Sequence, residues 1–105
     1  VEGFVHGDLI PGNLLVDCGS LDAIIDWGGA GWGDLAQDLA PAWAVFHGAA
    51  RSEFREAMHV DEATWIRGRA FELEHAVGGV LCDVPKRHPL GDVMARTLGH
   101  ILTND

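Results

Sequence analysis

The stretch Val5-His6-Gly7-Asp8-Leu9-Ile10-Pro11-Gly12-Asn13, "VHGDLIPGN", decides how the chain is read. It sets one His, one Asp and one Asn among glycines, a proline and apolar residues. Polar side chains in an apolar setting need hydrogen-bond partners or a chemical task. The residues on either side show which. "GFVH" (3–6) predicts a short strand that runs into a loop. "NLLV" (13–16) and "LDAIID" (21–26) are apolar runs separated by "DCGS", a turn sequence, and so predict a hairpin. Asp8 and Asn13 lie five residues apart on the loop, and Asp26 follows thirteen later at the end of the second strand. A hairpin that folds back brings Asp26 towards Asn13. The result is an amide carbonyl and two carboxylates in one place, hard oxygen donors that suit magnesium rather than zinc.

The same spacing occurs in the general arrangement for phosphoryl transfer. There a loop Asp faces the acceptor hydroxyl, an Asn five residues on holds metal, and a later Asp at a strand end completes the metal site. Three motifs in order carry a closer resemblance: His6-Gly7-Asp8 with Asn13, "IIDWGGAGWGD" (24–34) and "GDLAQDLA" (33–40). In these the chain resembles the aminoglycoside phosphotransferase family of antibiotic and small-molecule kinases. The likeness is tight over residues 3 to 40. Ile10 stands where a common family version has His.

The resemblance implies a role for each matching residue. Asp8 takes the place of the catalytic base. Asn13 and Asp26 take the places of the magnesium and nucleotide-phosphate ligands. His6 matches a position that braces the loop from beneath, and Asp38 a helical Asp that hydrogen-bonds the loop backbone. It also implies an α+β fold: the C-terminal lobe of a protein-kinase-like enzyme, with a hairpin carrying the active-site loop on a mainly helical bundle. The implied reaction moves the γ-phosphoryl group of ATP or GTP to a small-molecule hydroxyl, with Mg2+ as cofactor. Protein kinases carry Arg at the position of Gly7, and only seven residues separate Asp26 from Asp34. Both features favour a small-molecule kinase over one switched by a phosphorylated loop.

Composition narrows the partners. The 105 residues suffice for one small domain. Seven basic residues face 16 acidic ones, a net charge of −9. Residues 1–50 hold seven carboxylates and no Lys or Arg. That excludes a basic nucleic-acid footprint and suits a cationic acceptor. Aminoglycosides are the acceptors implied by the family name; macrolides, homoserine, choline-like alcohols and sugars stay open. Phosphates need positive groups as well as metal, usually a Lys. None reads as such here, so the chain is expected to be the C-terminal lobe of a longer enzyme whose N-terminal nucleotide-binding lobe precedes Val1. Alone, it is expected to be inactive and to self-associate through the surface that lobe would cover.

No apolar run approaches the roughly 20 residues that span a bilayer and no signal peptide is visible, so a cytoplasmic location is expected. Cys18 and Cys82 read as free thiols.

Helices are expected over 34–48, capped by Asp34 and divided by Pro41, over 51–59, over 62–84 capped by Asp61, and over 90–105. In the third, Ile66, Ala70, Leu73, Val77, Val80 and Leu81 define the expected buried face. "WGGAGWG" (27–33) reads as a loop. Trp27, Trp32, Trp43 and Trp65 read as core or lobe-contact residues. Glu72, Glu74 and Asp83 read as solvated helix faces, and the remaining histidines lack metal-ligand spacing. Two rivals stand beside the kinase reading. A two-metal phosphoesterase would need a downstream His cluster. A non-catalytic binding domain would keep the fold without the turnover.

Overall fold

The computed structural model describes residues 2–103. Four short strands, β1 (Glu2–Val5), β2 (Leu14–Asp17), β3 (Ser20–Ile24) and β4 (Gly31–Asp34), are followed by four helices. These are α1 (Pro41–Ala44), α2 (Gly48–Met58), α3 (Glu62–Asp83) and α4 (Pro89–Thr103). Tight 3-10 turns cover Pro11–Asn13 and Leu35–Leu39. This is a mixed α+β domain, as the sequence predicts. The last two residues of the expected final helix lie outside the described residues.

β2 and β3 form the expected hairpin. Cys18 and Gly19 turn it, both with positive φ (50° and 80°). A two-residue turn of that hand matches the right-handed twist of the strands it joins. A register shift between Leu15 and Val16 bulges the hairpin where Asp22 is accommodated.

The loop reading holds for 27–30, and β4 corrects it over 31–33. Gly31 to Asp34 pair antiparallel with Val5 to Glu2 in β1. Glycines disfavour a strand, but here they admit close neighbours. A Cβ on Gly33 would sit 3.1 Å from Gln37 Oε1 and 3.4 Å from a Val5 methyl. Contact with β1 outweighs local preference.

The core gathers Ala36, Leu39, Ala42, Trp43, Trp65, Ala76 and Ile101, with Phe54, Phe71 and Leu98 packed around it. Trp43 and Trp65 meet at 4.9 Å between ring centroids. Trp27 and Trp32 lie outside this core and are exposed. Asp34 caps the 3-10 turn through Ala36 N at 3.0 Å. Its other oxygen takes Arg67 Nε at 2.9 Å. That guanidinium holds the Asp34 carboxyl below the usual carboxylate range, helped by the Ala36 amide. Asp61 caps α3 by accepting from Thr64 N at 2.7 Å. Both caps stand where the sequence places them.

α3 turns a different face inward from the one its apolar stripe suggests. Trp65, Gly68, Glu72 and Ala76 are buried; of the expected stripe Leu73 packs against the core, while Ile66 is 57% and Leu81 73% exposed. Small residues explain the choice. A Cβ on Gly68 would lie 2.8 Å from a Leu39 methyl and 3.1 Å from the Ala36 carbonyl. Gly79 sits directly against Met94 of α4. Close backbone approach along this line buries more of Leu39 and Met94 than the bulkier stripe would allow.

Two glycine sites on α3, ten residues apart, therefore respond in opposite directions to alanine. Gly68→Ala adds helix propensity of about 1 kcal/mol but overpacks a fixed carbonyl, which costs roughly 1–3 kcal/mol. We expect a lowered melting temperature. Gly78→Ala meets nothing within 4 Å and should raise it. Thermal melts of the two variants check the packing directly; a Gly68→Ala protein as stable as wild type would contradict it.

Candidate active site

The site begins where β1 ends. Gly7 has a φ of +86°, a left-handed conformation that glycine adopts without strain. That turn presents two successive amides to one carboxylate. His6 N–H donates to Asp38 Oδ2 at 2.8 Å and Gly7 N–H to Asp38 Oδ1 at 2.9 Å. Asp38 lies in the 3-10 turn that leads into α1, so the helical half of the domain grips the loop backbone through it.

The His6 ring is buried, with 2% of the residue exposed. Its Nδ1 accepts the Asp8 amide at 3.0 Å, and its Nε2 lies 2.9 Å from the Ile25 carbonyl. These partners assign the neutral Nε2–H tautomer. The imidazole thus ties the HGD loop to the end of the hairpin. Trp27 packs edge-on against it, with ring centroids 4.5 Å apart, and anchors its own indole N–H on the Ile24 carbonyl at 2.8 Å.

Asn13 closes the loop. Its Nδ2 donates to the Asp8 carbonyl at 2.8 Å and to Asp8 Oδ2 at 3.2 Å. With the amide nitrogen committed to Asp8, the carbonyl oxygen is the end left for a cation. Asn13 O also accepts Ile25 N–H at 2.9 Å, which extends the hairpin ladder by one step. Asp26 follows Ile25, so Asn13 and Asp26 stand one residue apart across that ladder. Asp26 is exposed and adopts φ +61°, a conformation Asp tolerates better than most side chains. An amide oxygen and a carboxylate are hard donors of the kind magnesium takes, and the ladder sets the two residues that carry them one step apart.

His6, Asp8, Asn13 and Asp38 therefore meet in one hydrogen-bonded cluster, with Asp26 beside it on the hairpin. Two further residues join from α3, and sequence reasoning missed both. Glu72 is 2% exposed, not solvated. His75 leaves 41% of its side chain exposed, with Nδ1 3.5 Å from Glu72 Oε1 and Nε2 3.8 Å from Asp8 Oδ1. The Glu72 carboxylate facing its ring raises the His75 pKa above the ordinary histidine value; burial opposes this, and the charges on Glu72 and Asp8 add to it. At 3.5 Å the His75–Glu72 contact lacks hydrogen-bond geometry and is an ion pair only while His75 is protonated, and Glu72 Oε1 stays without a hydrogen-bond partner among the described residues. The signal in the sequence was the i,i+3 spacing of Glu72 and His75 on the face that carries Gly68 and Ala76.

Among the described residues no group of three or more His, Cys, Asp or Glu is placed to hold a metal ion. The His cluster of a two-metal phosphoesterase has no counterpart there. Cys18 and Cys82 are free and exposed, and no described helix is long and apolar enough to cross a membrane.

A mixed α+β domain with H-G-D-x-x-x-x-N on a loop gripped by a helical Asp is of the phosphotransferase class. The family model for the phosphotransferase enzyme family, APH, matches residues 1–73. That is more than half of the chain, and the chain belongs to this family. No curated protein and no solved structure matches it.

Proposed function

We propose that this chain is the acceptor-facing lobe of a small-molecule kinase, with ATP or GTP as donor and magnesium as cofactor. The observation that carries the reading is the single network joining Asp38, His6, Asp8 and Asn13. It fixes one carboxylate at a loop tip while leaving it partly open, with 39% of the side chain exposed. A carboxylate so held orients an acceptor hydroxyl. The hydroxyl oxygen bonds to the γ-phosphorus, the bond from that phosphorus to the β–γ bridging oxygen breaks, and the nucleoside diphosphate leaves. The hydroxyl proton passes to Asp8.

Asn13 and Asp26 are the residues that would hold the metal. Bound magnesium offsets negative charge on the transferring phosphates. His6 and Asp38 keep the loop in shape and touch no substrate. The large exposed side chains around the site, Phe4, Trp27 and Trp32, support a covering N-terminal lobe that brings the positive groups lacking in residues 1–50. The net charge of −9 supports a cationic acceptor, with aminoglycosides first in line.

The deciding experiment is an acceptor screen on the full-length protein with γ-labelled ATP and GTP. The panel covers aminoglycosides, a macrolide, homoserine, choline and hexoses. We expect magnesium-dependent label on one acceptor class. Nucleotide binding with no label on any acceptor would favour a binding domain that no longer turns over.

A further inference from the structure

A buried carboxylate oxygen without a donor is costly, so Glu72 calls for an explanation. His75, one turn further along α3, brings its Nδ1 to 3.5 Å from that oxygen. The geometry of that histidine is unusual in one respect: each ring nitrogen faces a carboxylate. Nδ1 looks at Glu72 Oε1 from 3.5 Å and Nε2 at Asp8 Oδ1 from 3.8 Å. A neutral imidazole has one N–H and could satisfy only one of them; the imidazolium has two. The Asp8 carboxylate is meanwhile addressed on both oxygens, Oδ2 by Asn13 and Oδ1 by His75. With Gly7, Leu9, Gln37, Ala40 and Phe71, the residues Asp8, Glu72 and His75 line a small recess of about 100 Å³ between the loop and α3. Gln37 is neutral, so Asp8 and Glu72 are the charged groups facing His75 across it.

We propose that His75, oriented by the buried Glu72, is a positioning residue for the Asp8 carboxylate in phosphoryl transfer. The pair Asn13 and His75 would set the rotation of that carboxylate, so that its remaining lone pairs point at the incoming hydroxyl. Glu72 would act only through His75, as the fixed end that aims the ring. The assignment rests on the phosphotransferase reading of Asp8. His75 itself lies just beyond the residues matched by the family model, so the arrangement is argued from this chain alone.

The arrangement has a sign in pH. The ion pairs exist while His75 is protonated and vanish as pH rises through its midpoint, which its neighbours place above the ordinary histidine value.

Two measurements test it. The first follows the imidazole resonances of the 105-residue chain by NMR during a pH titration, with His75→Gln assigning the signal. We expect Asp8→Asn to lower the His75 midpoint by on the order of half a unit, the size of one charge contact near 4 Å in a solvated setting. Glu72→Gln should lower it further. A midpoint unmoved by Asp8→Asn overturns the proposal. The second measures kinetics of the full-length enzyme. His75→Gln should cut kcat about tenfold, leave the nucleotide KM in place, and flatten the decline of kcat on the alkaline side. Unchanged kcat and an unchanged pH profile overturn it as well. The NMR arm needs no turnover, so loss of the His75–Asp8 pair is distinguishable from failure of the kinase reading. A wild-type enzyme that phosphorylates nothing removes that reading, and the role of His75 with it, even where the pair is intact.

Discussion

Asp8→Asn in the full-length protein should keep nucleotide binding and lose most turnover, with kcat down by roughly 10²-fold or more. The expectation follows from which of the contacts at Asp8 belong to the side chain. The Asp8 amide on His6 Nδ1 and the Asp8 carbonyl on Asn13 Nδ2 are backbone contacts and survive. So does the grip of Asp38 on the two preceding amides. The loop should hold its shape. What changes is one oxygen, which becomes an amide nitrogen that accepts nothing and receives no proton. The acceptor hydroxyl then has no carboxylate to align it. Steady-state kinetics at saturating nucleotide, beside a calorimetric nucleotide Kd, separate this from a folding defect. A kcat within a few-fold of wild type would take Asp8 out of the catalytic role.

The parts of the fold that were legible in the sequence are those fixed by neighbours in the chain. The run "DCGS" marks the hairpin turn because Asp, Gly and Ser are turn formers, and Gly19 takes its positive φ without strain. Asp34 and Asp61 announce the starts of helical segments because an Asp side chain satisfies an amide two or three residues ahead. Pro41 opens α1, where its missing N–H is no loss. The clustering of His6, Asp8 and Asn13 was also local, since all three lie on one loop.

What stayed hidden depends on parts of the chain that meet only after folding. β4 is a strand because β1 supplies its hydrogen bonds from some thirty residues away; its own glycines argue against it. The inward face of α3 was misjudged for a related reason. Hydrophobic periodicity weighs large side chains, whereas Gly68, Ala76 and Gly79 select the face by letting Leu39 and Met94 come close. That one rotation of the helix also concealed Glu72 and His75. On the expected face they would point to solvent, and on the real one they reach the recess beside Asp8. Part of the site thus became visible only with the packing that sets it.

Asp26→Ala should abolish the magnesium-dependent part of nucleotide binding. Asn13 reaches the site from the loop and Asp26 from the hairpin end, one ladder step away, and only Asp26 brings a negative charge. Without it the metal keeps a single neutral protein donor, too few for a cation that dehydrates reluctantly. The substitution also has a backbone side. Asp26 sits at φ +61°, where an alanine costs on the order of 1–2 kcal/mol. Asp26→Asn answers that objection, because Asn tolerates the same conformation and removes only the charge. Calorimetry with and without magnesium should show both variants binding nucleotide alike in the two conditions, while wild type gains affinity from the metal. His6→Ala serves as the comparison. It cuts the tie from the loop to Ile25 and loosens the site, yet leaves both metal donors, so it should lose less of the magnesium effect. A magnesium-dependent gain of wild-type size in both Asp26 variants would place the metal on other residues, and the hairpin end would then be structure alone.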